Sequence, residues 1–283
     1  MSAGHAIDIF QHAAENNRFD PIRSAQMLYF PSVGELLVTG DLHNHRRNFE
    51  RIVKAASLDM FPRRHVLLQE IIHGGALGAD GEDTSLDLLL DAVEWSLKFP
   101  RQVHFLLANH DWAQIFGMAI LKEGYDLTER FSRAFTLRYG GRADDVREAF
   151  RKFVLSMPLA GITVTGIFLS HSLPTWRDLG DFDSTILRRP LVESDYLRNG
   201  SVYKLLWGRS QTESSLDKLS KMWFSELFIC GHQQQDKGWG VLAKRMFIVD
   251  SSHNHGVMLP LDLSRQHTID DFKKAIMPLA AIA

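Results

Sequence analysis

Three stretches in the first 111 residues constrain the fold more than anything else in the chain: "GELLVTGDLH" (34–43), "RHVLLQE" (64–70) and "QVHFLLANHD" (102–111). Each is a short apolar run that ends abruptly in polar residues. That is the pattern of a buried strand delivering side chains to a sheet edge. Between them lie "NFERIVKAASL" (48–58) and "SLDLLLDAVEWSLKF" (85–99). The second carries Leu86, Leu89, Leu90, Val93 and Leu97 at helical spacing. Strand, helix, strand, helix, strand at these lengths predicts parallel strands joined by right-handed crossovers.

The rest of the chain extends this α/β plan. Residues 6–17 read as a short amphipathic helix, and 112–157 as a mainly helical, charged segment that ends at Pro158. "AGITVTGIFLSHSLP" supplies two strands joined near Val164–Gly166. "LFICGHQQQ" (227–235) and "RMFIVDSSHNHGVMLPLD" (245–262) add more. The stretch 176–226 reads as loop and short helix, with "VYKLLWGRS" its most structured part. No linker, repeat or low-complexity segment divides the 283 residues, so a single domain over 1–283 is expected. A net charge of −2 provides no basic field for nucleic acid or anionic lipid. No apolar run is long enough to cross a bilayer, and the first twenty residues lack the layout of a signal peptide. One cysteine, Cys230, allows no internal disulfide. A cytoplasmic protein with no nucleic-acid or membrane partner is expected.

Five strand ends carry the same type of cargo: Asp41 and His43, Glu70, Asn109 and His110, His171, and His232. In α/β sheets ligands bind beyond the carboxyl ends of strands. Singly, a histidine at a strand end is more often a hydrogen-bonded structural group, and a Gly-Asp pair more often a turn. Five coincident ends are not explained that way. Carboxylate, imidazole and amide oxygen together make a mixed N/O donor set suited to Mn, Fe or Zn. Two such ions ~3.5–4 Å apart clamp an in-line phosphoryl displacement. They need an anion between them, because two dications that close repel. His5, His12, His65, His104 and His267 fall outside this pattern.

The order of "GDLHNHRRNFERI", "LLQEIIHGG", "LLANHD", "FLSHSLP" and "CGHQQQDKGW" resembles that of the calcineurin-like metallophosphoesterase motifs: GD-x-H, GD-x-x-D-R-G, G-N-H-E/D, a lone His, and a late Gly-His. The likeness is greatest to the PPP-type serine/threonine phosphatases. "GHQQQDKG", "FRKFVLSMPLAGITVTGIFLSHSLP", "YKLLWGRS" and "MFIVDSSHNHGVMLPLD" each resemble a PPP segment, and together the likeness covers about residues 34–263. The resemblance implies two packed β-sheets flanked by helices, an α/β/β/α sandwich, with two divalent metal ions at one end. It implies that Asp41, His43 and Glu70 hold one ion, and that Glu70, Asn109, His171 and His232 hold the other. His110, followed by Asp111, would stand where the family places its proton donor, and Asn109 and His110 would also face the substrate phosphate.

The second motif departs from the family. Glu70 replaces the bridging Asp, Gln69 the preceding Gly, and His73-Gly74-Gly75 the D-R-G. The orienting Asp and the phosphate-clamping Arg are therefore missing from their usual places. His73 is open to three readings: partner to His110, extra ligand, or loop residue. Arg209 in "LLWGRS" is the leading substitute for the clamp, ahead of Arg46 and Arg47. One of His253 and His255 could line the site, or both could be surface residues. The resemblance implies a PPP-like, dinuclear-metal-dependent phosphatase. It would act on phosphomonoesters, of a phosphoprotein or a small molecule, by attack of a metal-bound hydroxide. The alternatives are a phosphoanhydride or phosphodiester hydrolase of the diadenosine tetraphosphatase kind, and a metal-loaded binding module whose catalysis has decayed.

Overall fold

The computed structural model describes residues 1–282. Its ten principal strands are β1 (Met27–Phe30), β2 (Glu35–Asp41), β3 (Arg64–Gln69), β4 (Val103–Leu106), β5 (Ala160–Thr163), β6 (Ile167–Ser170), β7 (Leu227–Cys230), β8 (Trp239–Leu242), β9 (Met246–Val249) and β10 (Val257–Asp262). They form two sheets. One has five strands and runs Met277–Pro278, β10, β2, β3, β4. The other has seven and runs Arg23–Ser24, β1, β5, β6, β7, β9, β8. β2, β3 and β4 are parallel, as the βαβ pattern requires.

Side-chain alternation explains why the sheets stack. On β3, Leu67 faces a core made with Leu36, Val38, Leu169, Ile229 and Phe247, drawn from both sheets. Its neighbours Val66 and Leu68 face the opposite way, into a second core with the helices. The sheets therefore bury apolar surface on both sides, and helices cover the outside.

Nine α-helices are present among the described residues: α1 (Ala3–Arg18), α2 (Arg46–Ala56), α3 (Ser85–Lys98), α4 (Asn109–Ile115), α5 (Leu127–Tyr139), α6 (Ala143–Ser156), α7 (Ser201–Trp207), α8 (Glu213–Trp223) and α9 (Ile269–Ala275). Ser2 caps α1 by accepting from the His5 N–H, and Asp126 caps α5 by accepting from the Thr128 N–H. α1, α3, α5 and α6 pack together, and rings join three of them: Phe10 of α1 meets Phe150 and Phe153 of α6, and Phe131 of α5 meets Phe135 and Phe150. No helix among the described residues is long and apolar enough to cross a membrane.

One part of the sequence reading is refined here and one corrected. The segment 112–157 is not helical throughout: a hairpin, Leu121–Lys122 paired with Tyr125–Asp126, separates α4 from α5. Its turn, Glu123-Gly124, has both φ angles positive (52° and 82°), the twist a two-residue hairpin needs. The third strand also stops sooner than 102–111, because Asn109 already begins α4.

Candidate metal and phosphate site

The loops after β2 and β3 are laced together before any side chain is considered. The backbone N–H groups of Leu42 and His43 both donate to the Glu70 carbonyl (2.9 and 3.0 Å), and that of Asn44 donates to Ile71 (2.8 Å). A side chain at Gly40 would collide with the Val249 backbone, so glycine there lets β2 pass close to the end of β9. At Gly231 a side chain would run into the Asp41 carboxylate and Gln69. Those two glycines are the G of "GDLH" and the G of "CGHQ". His43, Glu70, His73 and His232 all adopt positive φ (43°, 44°, 66° and 65°). Non-glycine residues in this region are held there only when their surroundings compel it, and such residues concentrate at functional sites.

Glu70 lies at the centre, buried. Its Oε2 is 3.4 Å from His43 Nε2, its Oε1 is 3.6 Å from His171 Nε2, and Oε1 also accepts from the His110 N–H at 3.0 Å. Two groups could each hold a cation, His43–Glu70–His110 and Asp41–Glu70–His171, with ligand atoms within 4.8 Å of one another. Glu70 belongs to both. Asp41 lies beside it, accepting from the His232 N–H (3.0 Å). Burial pushes the Glu70 carboxyl well above its ordinary pKa, and the neighbouring Asp41 pushes it further. Burial also raises Asp41.

Hydrogen bonds from their outer nitrogens orient the His43 and His171 rings toward the cluster. His43 Nδ1–H donates to the Ile72 carbonyl (3.1 Å), which leaves Nε2 free toward Glu70. Gln69, anchored by donating to the Thr39 carbonyl (2.8 Å), accepts from His171 Nδ1–H at 2.9 Å. His171 Nε2 is thereby left unprotonated 2.6 Å from Asn109 Oδ1. His232 Nδ1 lies 3.2 Å from the same Nε2, so ring and amide atoms of three residues converge here, and burial depresses the His171 pKa strongly. The Asn109 amide nitrogen is buried with no hydrogen-bond partner among the described residues. His232 differs. Its Nε2 accepts from Arg209 Nε (2.9 Å), which places its proton on Nδ1 facing Asn109 Oδ1 (2.8 Å). To offer Nδ1 to a metal, that proton must shift to Nε2 and Arg209 must turn away.

His73 lies against His110, Nδ1 to Nδ1 at 3.1 Å, with its Nε2–H donating to Gln114 Oε1 (2.8 Å). Gln114 donates in turn to Ser132 (2.9 Å). His73 thus accepts from His110 Nδ1–H, the partner role among its three readings. Burial lowers His73 to about 4 and depresses His110 well below the ordinary range. The sequence reading did not include Gln114. The available signal was its position one helical turn after His110, which puts both on one face of α4.

A cleft of about 490 Å³ opens over this cluster. Asp41, His43, His110 and His232 form its floor, and Arg209 and His253 lie on its wall. His255 is exposed and does not line it. Asp111 is buried as a cap: it accepts from the Ala108 N–H (3.3 Å), and burial raises its carboxyl to about 7. Arg46 is on the surface, paired with Asp91 (2.6 Å), and Arg47 is exposed. Asp250, Ser252, Gln234 and Lys122, none singled out from sequence, also line the cleft. His65 and His104 form a separate buried chain, His65 to His104 to Asp20 (3.0 and 2.8 Å), away from these groups.

No family model matches the sequence, and no curated protein matches it. Solved structures do match. A protein serine/threonine phosphatase from Saccharomyces cerevisiae, described as similar to human phosphatase PP5, superposes with a TM-score of 0.65 at 14% identity, over 99% of this chain and 94% of that one. The chain shares the fold of that phosphatase. A cold-active protein-tyrosine phosphatase of a psychrophilic Shewanella species shares the fold at a TM-score of 0.55 and 13% identity, over 89% of this chain and 80% of that one. At such identities the likeness is one of architecture, and activity has to be argued from residues. In this α/β sandwich the candidate metal groups lie at the carboxyl ends of β2, β3, β4 and β6, where an α/β fold places its ligands.

Proposed function

We propose that the protein is a dinuclear-metal-dependent phosphatase acting on phosphomonoesters. The observation that carries this reading is Glu70. It is a buried carboxylate with one oxygen toward His43 and the other toward His171, shared by both candidate metal groups. Two adjacent buried carboxylates with raised pKa values and inward-facing imidazole lone pairs fit divalent cations and little else. Asp41, His43 and Glu70 would hold one ion; Glu70, Asn109, His171 and His232 would hold the second. Bound there, Mn, Fe or Zn would activate water as the nucleophile and offset the charge of the phosphate.

The chain's own groups supply the rest. The unpartnered Asn109 amide is free to donate to a phosphate oxygen. Arg209, once released from His232, brings a guanidinium fork to the same dianion. His110, with Nδ1 tied to His73, presents Nε2 to give a proton to the departing alkoxide. Loss of the metal site itself is disfavoured by the state of the cluster. A site free to decay would not keep four residues at positive φ and a glutamine dedicated to one histidine tautomer. The test is hydrolysis of p-nitrophenyl phosphate and an alkyl phosphate by protein stripped with chelator and then reloaded with Mn. Activity that appears only on reloading, and is lost in Asp41→Asn, is expected. Metal-independent activity, or none with Mn, Fe or Zn, would contradict the reading.

A further inference from the structure

The hairpin that the sequence pattern concealed forms one wall of the cleft. Ile120, Leu121, Lys122 and Leu127 all line it. This wall is built, not draped. Asp126 Oδ1 accepts from the Ile120 N–H (3.2 Å) as well as the Thr128 N–H (3.0 Å). Leu127 N–H donates to the Ile120 carbonyl (2.9 Å), and the Thr128 hydroxyl donates to the Met118 carbonyl (2.9 Å). The Arg130 guanidinium lies 3.6 Å over the Tyr125 ring on the second strand. The base of the hairpin is therefore fixed to the start of α5, and Lys122 is presented at the cleft by a rigid support.

The Lys122 side chain is exposed and has no ion-pair or hydrogen-bond partner among the described residues, while its backbone pairs with Tyr125. The cleft's own spare carboxylate does not provide one. Asp250 is fully engaged, Oδ2 by the Gln235 N–H (2.9 Å) and Oδ1 by the Ser252 N–H and hydroxyl (2.9 and 2.7 Å). The candidate metals, Asn109 and Arg209 together suffice for one phosphate dianion. Lys122 is a further cation beyond that set, and Ile120, Leu121 and Leu127 set an apolar surface beside it.

We propose that Lys122 forms a second anion position, so that the preferred substrate is a small phosphomonoester carrying a second phosphate on a carbon skeleton. This rests on the phosphatase reading above and narrows its substrate class. One phosphate sits over the metal ligands; the carbon skeleton lies along Ile120, Leu121 and Leu127; the second phosphate meets the Lys122 ammonium. A lysine is suited to this as a mobile point charge able to follow a second group at variable reach. A cleft of about 490 Å³ is of the size that encloses a small molecule.

The test uses glucose 1,6-bisphosphate and glucose 6-phosphate as probes, with the Mn-loaded protein and its Lys122→Ala and Lys122→Arg variants. Binding by calorimetry and kcat/KM are both read. Wild type should favour the bisphosphate, and Lys122→Ala should lower its kcat/KM and affinity about fivefold to tenfold while glucose 6-phosphate changes less than twofold. Lys122→Arg should keep most of the preference, and added salt should erode it. Equal losses on both sugars, or no loss on either, would overturn the Lys122 assignment and leave the phosphatase reading intact. If wild-type protein hydrolyses p-nitrophenyl phosphate but neither binds nor hydrolyses either sugar phosphate, the Lys122 assignment fails and the phosphatase reading stands; no Mn-dependent hydrolysis of any of the three would overturn both.

Discussion

Replacing His73 with aspartate should raise the pH at which the proposed phosphatase loses activity. His73 Nδ1 lies 3.1 Å from His110 Nδ1, and His73 is neutral, its pKa lowered to about 4 by burial. A neutral acceptor orients the His110 ring but does little to stabilise its protonated form. His110 is itself depressed, first by burial and then by the neighbouring His43. An aspartate oxygen is a δ atom, like Nδ1, so His73→Asp places a carboxylate where the imidazole nitrogen was. Aspartate also tolerates the positive φ of 66° at this position. An opposite charge at this range raises an imidazole pKa by ~1–3 units, or about 1.4–4 kcal/mol for the protonated form. The general acid works while protonated, so activity is present below its pKa and is lost as pH rises through it. His73→Asp should therefore move the alkaline limb of kcat on an alkyl phosphate upward by at least about one unit. His73→Asn, isosteric but uncharged, should leave the limb in place. The assay is kcat against pH for the Mn-loaded wild type and both variants. Identical limbs for Asp and Asn would refute the pairing of His73 with a proton-donating His110. Both changes leave Gln114 without its donor and open space beside Phe131, so a matched loss of stability is expected in the two and does not bear on the outcome.

Three further outcomes follow from the same geometry. His110→Asn should keep metal content but lower kcat on alkyl phosphates more than on p-nitrophenyl phosphate, whose leaving group departs without a proton; equal losses would remove His110 from the acid role. Arg209→Ala should raise KM and weaken inhibition by free phosphate by about 1.5–3 kcal/mol, and it should not weaken metal binding, because it frees His232 Nε2; unchanged phosphate inhibition would make Arg209 a surface charge. Finally, stability should depend on pH differently with and without metal. The buried histidines, His65 and His73 at about 4 and His232 at about 3, favour the fold above the unfolded value near 6.5 and lose that contribution as pH falls toward 4. In the metal-free protein the raised carboxyls of Asp41, Glu70 and Asp111 act the opposite way, adding stability as pH falls, so the two trends offset. Metal holds Asp41 and Glu70 ionised, so the loaded protein should lose stability more steeply between pH 6.5 and 4.5 in thermal melts; equal slopes would speak against metal contact with these carboxylates.

Much of this was legible in the sequence because strand ends are. Short apolar runs at β2, β3 and β4, with two amphipathic helices between, defined the parallel part of the sheet. The polar residue closing each strand marked Asp41, Glu70, Asn109, His171 and His232. What sequence could not carry were contacts between side chains from separate elements. Gln69 stands where the family has glycine, and nothing local says that it fixes the His171 tautomer from across the sheet. The choice among three roles for His73 required its distance to His110. The hairpin at Leu121–Asp126 was hidden because two-residue strands have no period to read, and the surrounding residues are helical. β1 was missed for a related reason: four residues, one of them exposed, give too short a pattern. Asp111 shows the reverse error. Its place in the "NHD" motif suggested chemistry, yet its carboxylate turns back to cap α4.

The measurement that bears most directly on the account is metal content per chain, by elemental analysis and anomalous scattering, for Mn-reconstituted wild type, Glu70→Asp and Glu70→Gln. Glu70 is the one residue that belongs to both candidate groups, and a neutral amide cannot offset the repulsion between two dications. Two ions per chain are expected in wild type, with retention in Glu70→Asp and an activity shifted by about tenfold, ~1.4 kcal/mol, as the bridge shortens. Glu70→Gln should lose at least one ion. Less than about a tenth of an equivalent in wild type, or two ions and full activity in Glu70→Gln, would contradict the claim that Glu70 bridges a metal pair.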